Sequence, residues 1–227
     1  MALDFESLNL TEIIRLQNQL SALLARRFEK TLALAFSDVT GSTAYFARFG
    51  NEAGRRLQQR HVDLIVKSLE GSSGRIVDTV GDGVFLCFPQ VETAVEVLSG
   101  FQTLRLQENS HLPPEHHMTT RIGIHWGTVL TDRVIVTGDP VNLCAKFAAT
   151  GQPTEIRITK PAFLELTVQR RLRCQPIGPV KVAGANEPME MFAFSWADPV
   201  RFPIAVAIAE TGEQIPLPPQ PIIIPKT

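Results

Sequence analysis

The chain has 227 residues, 44% of them hydrophobic, and its 22 Lys and Arg stand against 23 Asp and Glu for a formal net charge of −1. At about 100 to 200 residues per domain this is one large domain or two small ones with ample material for a core, which excludes disorder of the whole chain. The even charge balance argues against a nucleic-acid partner. Apolar runs such as Ile204 to Ala209 fall far short of the roughly 18 residues of a bilayer-spanning helix, so a cytoplasmic protein without a transmembrane segment is expected.

From Asn9 to Lys30 there is no Gly or Pro, and Leu10, Ile13, Ile14, Leu16, Leu20, Leu23, Leu24 and Phe28 recur near helical spacing. This predicts an amphipathic N-terminal helix within residues 1–30, whose apolar stripe suits either its own domain or a partner helix. TLALAFSD reads as a buried strand delivering Asp38 to the loop VTGST, followed by a helix from about Ala44 to Leu69 that Gly50 interrupts. GRIVDTV and GVFLCFP read as two strands joined by Gly81 and Asp82, a two-residue connection with Gly first. A helix follows over Val91 to Leu106, then the loop NSHLPPEHH, whose His116 and His117 read as an exposed pair, and then the strand TRIGIHWG.

Strand, helix, strand, strand, helix, strand is the split βαββαβ order of a ferredoxin-like α+β fold, with both helices on one face of an antiparallel sheet. A C-terminal αβ extension is expected beyond it: a helix over Pro140 to Ala149, the strand TEIRIT, a helix over Pro161 to Gln169, and a closing hairpin of VKVAG with MEMFAF. The domain is set at 31–196. Residues 197–227 form a tail whose stretch from Thr211 is Pro-rich and expected to be extended. Cys87, Cys144 and Cys174 are odd in number and lack metal-ligand spacing, so they read as ordinary buried thiols.

In this topology the first strand and the hairpin are neighbours, so Asp38 and Asp82 converge on one sheet edge. Magnesium takes few protein carboxylates and completes its shell with water and substrate phosphates. Gly41, Ser42 and Thr43 lead into a helix, where free N–H groups and the helix dipole favour an anion. The residues alone thus point to a metal and polyphosphate site.

FSDVTGST, GRIVDTVGDGVFLCFP, RIGIHWG and GDPVNLCAKF resemble, in order and spacing, four signature segments of the class III nucleotide cyclase catalytic domain, over roughly Leu32 to Phe194. The resemblance implies conversion of a nucleoside triphosphate to a 3',5'-cyclic nucleotide and pyrophosphate, with two Mg2+ or Mn2+ ions per site held by Asp38, Asp82 and the Val39 carbonyl. It implies a homodimer whose sites are shared between subunits. Asn142 then orients the ribose, and Lys146 stands where the family carries a transition-state arginine, keeping the charge without the bidentate fork. Ala183 replaces a phosphate-binding lysine, which Lys181 could supply if both lie on one strand face.

The places that read adenine in adenylate-forming members are Asp78 and Ile135 here. A carboxylate accepts from uracil N3–H or from the guanine N1–H and N2–H edge and cannot donate to adenine N1. With Tyr45 as a wall of the base pocket, the expectation leans to UTP or CTP, as in stand-alone bacterial pyrimidine cyclases of antiphage signalling, the Pycsar type. The alternatives are an adenylate or guanylate cyclase, or a catalytically dead nucleotide-binding module, which Lys146 and Ala183 favour.

Overall fold

A computed structural model describes Glu6, residues 8–132 and residues 134–197. The Pro-rich segment from Thr211 lies outside the described residues. Among the described residues no helix is long and apolar enough to cross a membrane.

Helix α1 spans Leu10–Phe28 and starts in a capping box: the Asn9 side chain accepts from the Glu12 N–H, and the Glu12 carboxylate accepts from the Asn9 N–H. Nothing in α1 is buried, and Leu10, Ile13, Ile14, Leu20, Leu23 and Leu24 all stay exposed. Among the described residues nothing covers the stripe.

Strand β1 (Glu29–Val39) lies inside the sheet, antiparallel to β3 (Gly83–Phe88) on one side and to β4 (Thr120–Thr131) on the other. The sheet order adds β2 (Arg75–Val80), β6 (Ile156–Thr159), β7 (Cys174–Val180) and β8 (Met189–Phe194), as β2-β3-β1-β4-β6-β8-β7, with the short β5 (Val136–Thr137) pairing β4. Only β6 against β4 is parallel within this sheet.

Alternation along β1 separates two cores. Ala33, Ala35 and Val39 join Leu57, Leu64 and Ile65 of helix α2 (Ser42–Leu69) and Leu98 and Phe101 of helix α3 (Val91–Asn109) on one face. Leu34 and Phe36 face the other way, toward Cys144 and Phe147 of helix α4 (Asp139–Ala148). Helix α2 is bent at Gly50, whose φ of 81° and ψ of 172° are open to glycine. In RIGIHWG, Gly123 and Gly127 clear a track for α4: a Cβ would lie 2.6 Å from the Cβ of Ala148 at the first and 2.8 Å from that of Pro140 at the second. The three cysteines are free and buried.

Two elements of the extension differ from expectation. The helix expected over Pro161 to Gln169 is split into α5 (Lys160–Glu165) and α6 (Val168–Arg171), because Leu166 turns extended and is buried in the core. The strand pairing MEMFAF is Cys174–Val180 rather than VKVAG. Pro176, Gly178 and Pro179 argue against a central strand, but β7 is the outermost strand, where proline removes no bond to a second neighbour.

Candidate active site

Asp38 lies one residue before the end of β1, on the α4 side of the sheet with Leu34 and Phe36. Asp82 occupies the second position of the turn that joins β2 to β3. Gly81 takes a φ of 62° there and Asp82 remains outside the left-handed region, as a hairpin turn with glycine first requires. Burial raises the pKa of Asp38; Arg121 opposes this, and the nearby Asp82 carboxylate adds to it through charge and hydrogen bonding. The Asp82 carboxylate is thus close enough to disfavour the charge of Asp38, an arrangement that a cation relieves.

Two further residues belong to this edge and escape the sequence reading. Arg121, the first residue of RIGIHWG, lies directly opposite Asp38 in the β1–β4 register. Its Nη2 and Nε donate to Asp38 Oδ2 at 2.7 and 3.0 Å, and its Nη1 donates to the Ala149 carbonyl after α4. His61 of α2 is fully buried: its Nδ1 lies 3.0 Å from the Asp82 carbonyl and its Nε2 lies 2.8 Å from the Ser37 hydroxyl. Burial lowers its pKa to about 4, so the ring is neutral at pH 7.

The donor chemistry fits a hard divalent cation. Among the described residues no group of three or more His, Cys, Asp and Glu could hold a metal alone, so an ion here has two carboxylates and must draw its other ligands from backbone, water or substrate. Val39 has a buried side chain and ends β1 opposite Thr120. The chain then turns through Thr40, whose N–H donates to the Thr119 carbonyl, into Gly41. Gly41 caps α2 with φ 76° and no side-chain bond, leaving the first-turn N–H groups at Ser42 and Thr43 without a side-chain cap.

Asn142 and Lys146 are one turn apart on the exposed side of α4, and they line a cleft of about 560 Å³ with Asp139, Ala183, Gly184 and Glu187. Neither Asp38 nor Asp82 lines it. The Lys146 ammonium lies against Gly184, where a Cβ would come within 2.8 Å of Nζ. Lys181 does not line this cleft, and it follows the end of β7, so strand alternation does not carry it to the side of Ala183. The cation beside Ala183 is Lys146 itself.

Asp78 is exposed and pairs with Phe85 beside a bulge in β2; Phe85 stacks on Phe36 with ring centroids 4.7 Å apart. Asp78 therefore shares a sheet face with Phe36 and Asp38, and among the described residues its carboxylate accepts only the neighbouring Thr79 N–H. Ile135 is 59% exposed in a turn whose N–H groups bond Asp132. That turn precedes β5, at the end of β4 opposite to Arg121. Tyr45 is placed elsewhere. Its ring packs against the α2–α3 core and Phe49, and its hydroxyl bonds His116 Nδ1 at 2.9 Å, so it stands on the other side of the sheet from Asp78 and walls no pocket there. His116 is correspondingly half-buried rather than an exposed loop residue.

The family model of the adenylate and guanylate cyclase catalytic domain matches residues 25–195. An adenylate cyclase of Streptomyces coelicolor is 26% identical over 151 residues, covering 63% of this chain and 36% of that protein. The chain spans between 20% and 36% of the lengths of four curated relatives. Among solved structures, an adenylate/guanylate cyclase/hydrolase from Silicibacter pomeroyi aligns with a TM-score of 0.64 at 22% identity, over 73% of this chain and 96% of that one. The guanylate cyclase domain of RhGC from Catenaria anguillulae, in complex with GTP, aligns with a TM-score of 0.62 at 18% identity, over 74% of this chain and 97% of that one. With most of its length matched by the family model and its fold shared with these structures, the chain belongs to the class III nucleotide cyclases, the adenylate and guanylate cyclase catalytic-domain family.

Proposed function

We propose that the chain is a nucleotide cyclase that joins the ribose 3'-oxygen of a nucleoside triphosphate to its α-phosphorus and releases pyrophosphate. The observation that carries this reading is the pair Asp38 and Asp82, brought to one sheet edge in a chain of this family, where the Asp82 carboxylate disfavours the charge of Asp38. Mg2+ or Mn2+, two ions per site, would supply charge neutralisation on the phosphates and an acidified 3'-hydroxyl. Asp38, Asp82 and the Val39 carbonyl would hold them, and the N–H groups at Gly41, Ser42 and Thr43 would take phosphate oxygens.

Asn142 and Lys146 complete the chemistry from a second copy of the chain. Asn142 orients the ribose, and Lys146 places a positive charge on the α-phosphate as charge builds there. The reading of a shared site is supported by the separation of the α4 cleft from the two aspartates within one chain. The uncovered stripe of α1 offers such a dimer further surface.

For the base, Asp78 is the acceptor that a uracil N3–H or a guanine edge requires, and Ile135 offers no hydrogen-bonding side chain. The proposal keeps UTP or CTP, with the antiphage role that such cyclases serve; GTP, whose edge donates to a carboxylate equally well, and ATP are the alternatives. Incubation of the purified chain with each of the four nucleoside triphosphates and Mn2+, with products identified by mass spectrometry, tests activity and base together. No cyclic product from any of the four would leave the binding-only reading, which Lys146 and Ala183 favour, in its place.

A further inference from the structure

The side chain that joins the two halves of the aspartate edge is neither of the aspartates. Ser37 precedes Asp38 on β1 and points to the opposite face of the sheet, where it is fully buried. Asp82 sits at the β2–β3 turn. His61, projecting from α2, meets both: the Ser37 hydroxyl at Nε2 and the Asp82 carbonyl at Nδ1. A carbonyl can only accept, so Nδ1 carries the proton; the remaining nitrogen of a neutral ring then accepts from the Ser37 hydroxyl. The bonding pattern thus fixes the tautomer, and Phe101 fixes the ring from α3 with centroids 5.6 Å apart.

We propose that His61 is a positioning residue for the metal carboxylates, a buried imidazole that sets the distance between the chain segments carrying Asp38 and Asp82 by bonding Ser37 and Asp82 at once. The inference rests on the metal-binding reading above. Neither bond engages a carboxylate oxygen, so His61 ties the two backbones through one rigid ring without occupying either acid, and Arg121 holds Asp38 through Oδ2 alone. Hydrogen bonds that orient metal ligands from behind commonly contribute 10- to 100-fold in metal affinity. A helix packed on the back of the sheet thereby controls an edge on its front.

The test uses the full chain and Mn2+ alone, with bound metal read from the loss of the free-ion signal in electron paramagnetic resonance. His61→Phe keeps the ring volume and removes both bonds. Ser37→Ala removes one bond and retains the Nδ1–H donor. Circular dichroism and thermal melting are recorded for each variant. The expected result is that His61→Phe weakens Mn2+ binding roughly 10- to 100-fold and Ser37→Ala weakens it by less, each beyond what its change in melting temperature explains. A packing role alone lowers the melting temperature and leaves the Mn2+ affinity of the folded protein unchanged.

Controls Asp38→Asn and Asp82→Asn separate this inference from the reading beneath it. If both abolish Mn2+ binding while folded His61→Phe binds as wild type, the positioning role is overturned and the metal site stands. If His61→Phe does not fold, wild-type affinity in Ser37→Ala overturns the role in the same way. If the wild type shows no saturable Mn2+ site dependent on the two aspartates, the metal reading fails and this role fails with it.

Discussion

Arg121 and Asp38 face each other across the β1–β4 ladder and are joined by two hydrogen bonds from one guanidinium to one carboxylate oxygen, while the third nitrogen of the fork holds the chain just after α4. The pair couples the strand that carries the first aspartate to the helix that carries Asn142 and Lys146. Arg121 also opposes the rise in Asp38 pKa that burial and Asp82 cause. Arg121→Gln should therefore raise the pKa of Asp38 above its wild-type position, as read by carbon NMR of the labelled carboxyl. The acidic limb of any pH–rate profile should move upward with it. An unchanged Asp38 titration would show that the ion pair contributes nothing to its charge state.

The proposed sharing of the site between two copies makes a sharper prediction. Asp82→Ala and Asn142→Ala are each expected to be inactive alone. Co-refolded in equal amounts, half the dimers should be mixed, and each mixed dimer should hold one intact site of two, giving about one quarter of wild-type activity. Mixed dimers shown by mass spectrometry without recovered turnover would refute the interfacial arrangement.

Base preference should hinge on Asp78. Its replacement in Asp78→Ala removes the acceptor and should lower kcat/KM for the preferred nucleotide by about 1 to 3 kcal/mol, while poor substrates change less. Tyr45→Ala should leave the ranking of the four nucleotides as it is, because that ring packs against Phe49 and His116 on the other face. Steady-state kinetics with all four nucleotides decides both points.

Lys146 and Gly184 should act together. Lys146→Ala should reduce kcat on the order of 100-fold or more if, as proposed, its charge meets the reacting phosphate. Gly184→Ala should have a smaller effect on kcat, because the Lys146 ammonium ends a flexible side chain that can give way to the new Cβ at 2.8 Å, while the backbone φ of 85° is strained for alanine. Normal turnover by Lys146→Ala would place Lys146 away from the chemistry.

The pH dependence of stability should bear the mark of two buried histidines. His61 and His125 each have a pKa lowered from 6.5 to about 4 by burial. Between these values the unfolded chain binds more protons than the folded one, so stability rises with pH. Each histidine thus contributes stability that is fully present above pH 6.5 and is lost as pH falls toward 4, on the order of 3 kcal/mol. His125, which bonds Thr159 at 2.9 Å, tests this away from the aspartates. Urea titrations from pH 7.5 to 4 should show a shallower acid loss in His125→Gln than in wild type, and parallel curves would disprove it.

Much of this molecule is written in local pattern. Alternation in TLALAFSD specifies a strand with Asp38 near its end, and Gly81–Asp82 between two apolar runs specifies a tight turn with an acid at its tip. Gly50 marks the bend in α2 because a positive φ is open to glycine at little cost. Those signals depend on a few neighbouring residues, and they suffice for the βαββαβ order and for placing two carboxylates on one edge.

The tertiary structure decided what depends on register and facing. Arg121 meets Asp38 only because β4 pairs β1 antiparallel in one register, the partners being 83 positions apart in sequence. His61 reads as one polar residue of an amphipathic helix until the packing of α2 on the sheet turns it toward Ser37 and Asp82. Tyr45, two residues after Thr43 in sequence, goes to His116 because its turn of α2 faces away from the α4 side. Strand β7 pairs through Pro176 and Pro179 because it lies at the sheet edge, and no window of the sequence says which strand will be outermost. Backbone propensity and apolar period act over a few residues, whereas the partners of a side chain are set by the packing of the whole chain.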